Sequence, residues 1–435
     1  MSHPSPAHAT LEAWIAREAL QFSVDSPETF HAAVDTLIAA LGTSVALLGL
    51  GEALHGGEGI LQLRNQLFQH LVVAHGYSAI AIESSFPQAR AVNEYIAGSG
   101  AATYAAVQAS GFSHGFGQLD ANRELVEWMR QYNAEPSRRV KLHFYGFDSP
   151  TEMTGTDSPS HVLHFALDYL ASLDPGSGQR RRERIDSLLG ADADWENPAA
   201  LMDPAQSVGL SAAASMLRVE TEDLITELQI RRPELVAQSA ANRYWEALQY
   251  ALIARQLLSY HATVARASDH RVSELLGMRD AMMADNLAYI VSRERGRGKV
   301  LAFAHNRHVQ RGKAVWQLGP QRLSWWPAGA QLNQIFGPRY AVIGSGLATS
   351  EANGIGQPEP GTLEALLTRA PTPAVCLPTH QAEGLPAAEI AALPIRSGSS
   401  RNSTYFALGP ESFTDFDWLV VLATTGYSRG GPPLP

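Results

Sequence analysis

The chain has 435 residues, of which 45% are hydrophobic and 17% charged, with a formal net charge of −10. That supplies enough apolar material for one large core or two domains, and it is not the composition of a disordered chain. With no Lys/Arg-rich run, nucleic acid is not expected as a partner. A single cysteine, Cys376, excludes an internal disulfide. It lies in the apolar run Ala374-Val-Cys-Leu377 and reads as a buried core thiol.

The first residues are Pro-, Ser- and His-rich and read as unstructured. They lack the charged and apolar regions of a secretory leader, and no apolar run reaches the roughly 20 residues that span a bilayer. A soluble, cytoplasmic protein with no membrane partner is expected. Helices are expected over 10–20 and 35–41, then a strand over 45–49. After it, Ile60, Leu63, Leu67 and Leu71 recur at helical spacing until Gly76. A strand over 79–82 ends at Glu83. Helices over 86–96 and 122–132 follow, then a strand over 141–146 that runs out into Phe147-Asp148. Strand alternating with helix implies a parallel sheet with crossover helices.

From 158 to 292 the pattern changes to long runs rich in Ala, Leu, Arg and Glu, with no strong strand candidate. Candidate strands return at 300–304, 339–344, 374–377 and 418–422. The segments 345–360 and 426–435 read as loops rich in Gly, Pro and Ser. The expected fold is therefore α/β, a mostly parallel central sheet flanked by helices, with a large helical insertion covering the active-site cleft. Residues 1–157 and 293–435 form the core, and 158–292 the insertion.

Three strand ends carry titratable residues: Gly51-Glu-Ala-Leu-His55, Ala81-Ile-Glu83 and Ala304-His-Asn-Arg-His308. In open α/β sheets, ligands bind where the carboxyl ends of the strands converge. Burying Glu52, His55, Glu83, His305 or His308 at a strand tip is costly unless the group is paired or used. Glu52 and His55 share a face if a helix begins there, so the carboxylate would orient the imidazole as a general base. If the strands ending at Glu52 and Glu83 are neighbours, the two carboxylates lie roughly 5–10 Å apart. Two His and two Glu could ligate a divalent metal, but the spacing fits no strong zinc motif, and no cofactor or metal is expected. Arg279 is a candidate for stabilising an oxyanion or binding a substrate carbonyl. Asp148, at a strand end, and Arg64, on the first crossover helix, are further candidates for the substrate pocket. Gly111-Phe-Ser-His-Gly115 matches a nucleophile elbow, yet a helix-like segment precedes it where a strand is required. Ser113 is therefore not expected to be a nucleophile. Phe112 and His114 are instead expected to line the pocket.

Taken in order, Gly51-Glu-Ala-Leu-His-Gly56, Leu63-Arg64, Ala81-Ile-Glu83, Val92-Asn93, Tyr145-Gly-Phe-Asp148, Met278-Arg-Asp280, Met283-Ala-Asp-Asn286 and Ala304-His-Asn-Arg-His308 resemble the erythromycin esterase family. The resemblance runs from about residue 40 to 310, with a weaker C-terminal part. It implies an α/β core with a deep cleft under a helical insertion, and hydrolysis of a macrolactone ester without a covalent serine intermediate. His55 would be the base that activates water, Glu52 and Glu83 would orient it or the water, and His305 and His308 would complete the site. The chain departs from the pattern at Leu54, where a small residue is common. It departs again at Gly59-Ile60, where an acid followed by Phe is common; here the acid is Glu58. These departures put a macrolide substrate in question while leaving the Glu/His set intact. The expected partner is a small molecule. Two other functions fit the same residues: a biosynthetic enzyme using the site for proton abstraction with elimination or cyclisation, and a non-catalytic binding protein.

Overall fold

Eight apolar runs pair into one sheet in a computed structural model that describes residues 10–152, 155–370, 372–380 and 382–432. The unstructured start expected for 1–9 and the last residues of the tail loop, 433–435, lie outside these. Numbered within the sheet, the strands are β1 Leu20–Phe22, β2 Leu47–Glu52, β3 Tyr77–Ser85, β4 His143–Asp148, β5 Lys299–His305, β6 Tyr340–Thr349, β7 Ala374–Pro378 and β8 Trp418–Thr424. Their spatial order is β1-β7-β8-β6-β2-β5-β3-β4. Only β7 runs against the rest, pairing antiparallel with β1 and β8.

Both faces of the sheet are covered, which is why its strands read as near-continuous apolar runs rather than alternating ones. On one face Leu48, Leu50, Ile80, Ile82, Leu301 and Phe303 pack against helices Pro27–Leu41, Glu58–Ala74 and Asp120–Ala134. On the other, Leu47, Ala79, Ala81, Val300 and Ala302 share a core with helices Ser160–Leu173, Ala241–Val264 and Arg271–Glu294 of the long helical segment. That segment thus forms a layer on one face of the sheet, and its last helix reaches the strand ends from beneath. Each fully buried Leu or Ile contributes about 1.5–3 kcal/mol, so the two layers hold the strand tips in fixed register.

The expected strands are all present, several of them longer than expected. Ser345 to Thr349, read as loop, continues β6, paired with β8. Its glycines are demanded by packing: a Cβ on Gly344 would lie 2.6 Å from Phe416 Cγ, and one on Gly346 2.7 Å from Leu408 Cδ1. The helix expected over 35–41 begins earlier, at Pro27, with proline in its first turn. The strand β1 and the hairpin Ala314–Leu318/Gln321–Trp325 are additions; three residues are too few to show a period. No helix among the described residues is long and apolar enough to cross a membrane.

Candidate active site

Strand β5 lies between β2 and β3, so the strands ending at Glu52 and Glu83 are not neighbours. Glu52 and His305 are register partners across β2 and β5. Tight apposition there needs a bare backbone: a Cβ on Gly51 would sit 2.1 Å from Asn306 Oδ1. The register of β3 with β4 slips between Ile82 and Ser85, an irregularity that re-aims the side chains around it. The two carboxylates therefore meet across an imidazole rather than across adjacent strands.

That imidazole is His55. It sits in the turn after β2, before the helix that starts at Glu58, so its contact with Glu52 is made across a turn and not on a helix face. His55 Nδ1 is 2.6 Å from Glu52 Oε1, and its Nε2 is 3.9 Å from Glu83 Oε1. Asn402 Nδ2 donates to the His55 carbonyl at 3.0 Å, and the His55 N–H donates to Thr404 Oγ1 at 2.9 Å. The His55 side chain is 30% exposed, against 4% for both Glu52 and Glu83. Burial disfavours a charged His55, but the Glu83 and Glu52 carboxylates outweigh it and raise its pKa above the ordinary value. Burial also raises the Glu52 carboxyl, against the opposing bond from His55.

Glu83 is the hub beneath His55. Its Oε2 accepts the His305 N–H at 2.8 Å, and its Oε1 accepts from Arg279 Nη2 at 3.0 Å. His308 Nε2 lies 3.3 Å from the same Oε1. Burial would raise Glu83, yet His308, His55 and Arg279 hold it well below the usual carboxylate range. His308 bridges two carboxylates, its Nδ1 being 2.9 Å from Asp280 Oδ1. Burial works against its charge, but Asp280 and Glu83 raise it to about 10, so both ring nitrogens carry protons at neutral pH. Asp280 is itself fixed by Trp325 Nε1 at 2.7 Å and the Ala328 N–H at 2.8 Å.

His305 is committed elsewhere. Its Nε2 is 2.9 Å from the Thr404 carbonyl, which can only accept, so the proton is on Nε2. Its Nδ1 accepts the Arg307 N–H at 3.1 Å and caps the short helix Asn306–Val309. Burial, with His55 beside it, holds His305 well below its ordinary value. Both nitrogens are occupied, so the ring is placed to orient its neighbours rather than to exchange protons.

Arg279 also differs from expectation. Its Nε and Nη2 donate to Asp148, and Nη2 to Glu83 as well. It lines none of the three cavities described below, and its donors are engaged by these two carboxylates. Asp148 is fully buried; it holds Arg279 and lies 3.0 Å from His114 Nε2. Arg64 is 1% exposed, donates to Asn65 Oδ1 and lies over the Phe303 ring at 4.9 Å. Burial lowers its pKa to about 10. With Glu52 and Glu83 it borders a narrow internal gap, where Glu52 Oε2 has no hydrogen-bond partner.

A cavity of about 270 Å³ opens over His55, lined by His114, Phe116, Leu119, residues 401–404 and Tyr427, among others. A second, of about 390 Å³, shares His114 and Gly115 with it. His114 has φ 57°, an unusual backbone for a residue that is not glycine, and such strain collects at functional sites. Phe112 lines the second cavity but packs mainly into the core, on Phe144 and Tyr104. The ring that meets His55 is Phe116, with centroids 5.7 Å apart. The Ser113 hydroxyl accepts the Ser85 N–H at 2.9 Å, and a helix, Tyr104–Gln108, precedes it. The strand that a nucleophile elbow requires is absent there.

Phe116, Trp325 and Tyr427 are not among the residues that the sequence marks for the site. The C-terminal wall is held by Glu58, which accepts from the Arg429 N–H at 3.0 Å and from its Nε at 2.8 Å. The displaced acid of the family pattern therefore clamps the cavity wall. A Cβ on Gly59 would stand 3.1 Å from Leu422 Cδ1 and Thr425 Oγ1, and Leu54 is fully buried. At Gly56 (φ 81°) a Cβ would fall 2.7 Å from Tyr427 Cε2.

The sequence pattern of the family described as erythromycin esterase matches residues 72–425, which include Glu83, Asp148, Arg279, His305 and His308. Glu52 and His55 lie upstream of the matched stretch. The chain is 21% identical over 339 residues to the erythromycin esterase type II of Escherichia coli, covering 77% of this chain and 76% of that protein. Among solved structures, a Bacillus cereus protein superposes with a TM-score of 0.73 at 17% identity, over 97% of this chain and 98% of that one. A succinoglycan biosynthesis protein does so at 0.72 and 18%, over 99% and 100% of the two chains. A mutant of the erythromycin esterase EreC, in its open conformation, gives 0.64 and 16%, over 94% and 98%. The shared fold agrees with the mostly parallel, helix-flanked sheet, and the match spans well over half of the sequence: the chain belongs to the erythromycin esterase family.

Proposed function

We propose that the chain hydrolyses an ester or lactone bond of a small natural product, by attack of a water activated at His55. The observation that carries this is the asymmetry of His55. One ring nitrogen is fixed by Glu52, while the other faces Glu83 across 3.9 Å under an open cavity. A separation beyond 3.5 Å between polar groups is one that a water can bridge. A water there is oriented by Glu83 and gives its proton to His55 Nε2 as it adds to the carbonyl carbon. The imidazolium that forms is stabilised by Glu52 and Glu83 on either side. His305, His308, Arg279 and Asp148 hold this geometry, and His114 and Phe116 contact the substrate. Collapse of the tetrahedral intermediate expels the alkoxide, which takes the proton back from His55.

The cavities of about 270 and 390 Å³ suit a compact substrate or one segment of a larger ring. Macrolactones are thus one substrate class to examine beside smaller lactones and esters. The test of direct water attack is intact-protein mass spectrometry of acid-quenched turnover on an activated aryl ester. Product formation with no mass added to the protein is expected. An adduct on Ser113 or on a carboxylate would overturn the mechanism.

A further inference from the structure

At the far end of the helix Glu58–Ala74, three side chains from two elements bring ligand atoms to one point on the surface. Helix Pro27–Leu41 carries His31 and Asp35; His70 lies in the last turns of Glu58–Ala74, and His75 caps it. His70 Nε2 and His75 Nε2 both lie 2.7 Å from the same atom, Asp35 Oδ1. The two rings stand edge to face at 5.3 Å, and His31 stacks on His70 at 4.0 Å. Among the described residues, this is the one set of three His, Cys, Asp or Glu residues whose ligand atoms all fall within 4.8 Å of one another.

We propose that Asp35, His70 and His75 bind a zinc ion that ties helix Pro27–Leu41 to helix Glu58–Ala74. Two imidazoles and a carboxylate are a zinc donor set, with water completing the tetrahedron. Zinc–nitrogen bonds of about 2.0–2.1 Å put tetrahedral ligand atoms about 3.3 Å apart. The donors here need to part by only about 0.6 Å to admit the ion. Asp35 can make that movement, because its side chain is 54% exposed, whereas His70 and His75 are only 10% and 19% exposed and are held by their surroundings. Metal binding replaces the protons now shared with Asp35, and each Nε2 lone pair turns to the ion. The ring of His31 stacks on His70 and helps hold it in place beside Asp35. His70 lies about 18 Å along the helix from Glu58, so this site is separate from the Glu/His cluster.

The test is calorimetric titration of zinc sulfate into the full chain after chelation and dialysis. Saturation at one ion per chain is expected, with affinity reduced at least about tenfold in Asp35→Asn and in His75→Ala. The His55→Ala variant should give the wild-type isotherm. Zinc should also raise the Tm of the wild type and not that of the two site variants. No binding, an isotherm unchanged in Asp35→Asn and His75→Ala, or binding abolished in His55→Ala would each overturn the proposal.

Discussion

Glu52 Oε1 lies 2.6 Å from His55 Nδ1, a bond made across a turn between residues three apart in sequence. It fixes the ring orientation and leaves Nε2 facing the cavity. Glu52→Gln keeps the shape but removes the charge that steadies the imidazolium. A fall in kcat of about 10²–10⁴-fold, with KM little altered, is expected from steady-state kinetics. A variant that raised KM alone would assign Glu52 to substrate binding.

The same pair sets the pH profile. His55 acts as a base only when neutral, and its pKa is raised above the ordinary 6.5. The acid limb of kcat/KM should therefore have its midpoint above 6.5, with activity rising as pH rises through it. Removing one carboxylate that raises His55 should move the limb down, so Glu52→Gln is expected to retain relatively more of its activity at low pH. A pH–rate series on both proteins checks this.

Arg279 neutralises two buried carboxylates, Glu83 and Asp148. Arg279→Ala strands both, a loss of about 3–5 kcal/mol of stability at neutral pH for breaking a buried pair from one side. Glu83 and Asp148 are held low in the folded state, so their contribution is present above the unfolded carboxylate range and is lost as pH falls through their folded values. The deficit of the variant should accordingly shrink toward acid pH. Urea melts at neutral pH and at a pH below the ordinary carboxylate value of about 4 measure it; an equal deficit at both would show that lost packing, not charge, is responsible.

Much of this site was legible because a strand covered on both faces is an apolar run, and a charged residue at its end is conspicuous. Glu52, His55, Glu83, His305 and His308 stood out for that reason, and the structure gathers them. What the sequence could not show was strand order: β5 enters between β2 and β3 from more than two hundred residues downstream. Nor could it separate the two histidines of His305-Asn-Arg-His308. One is a neutral helix cap because the Thr404 carbonyl arrives from a distant loop; the other is charged because Asp280 arrives from a helix. Phe116 was passed over for Phe112 because both lie in an irregular loop with no period to show which ring faces inward. The pairing of Glu58 with Arg429 spans almost the whole chain and has no local signature.

The most direct measurement of the central claim is mass spectrometry of a panel of esters, small lactones and macrolactones after incubation with the wild type and with His55→Ala. A gain of one water by at least one compound, present with the wild type and absent with the variant, is predicted. Hydrolysis that survives in His55→Ala, or a product formed without the gain of water, would contradict it.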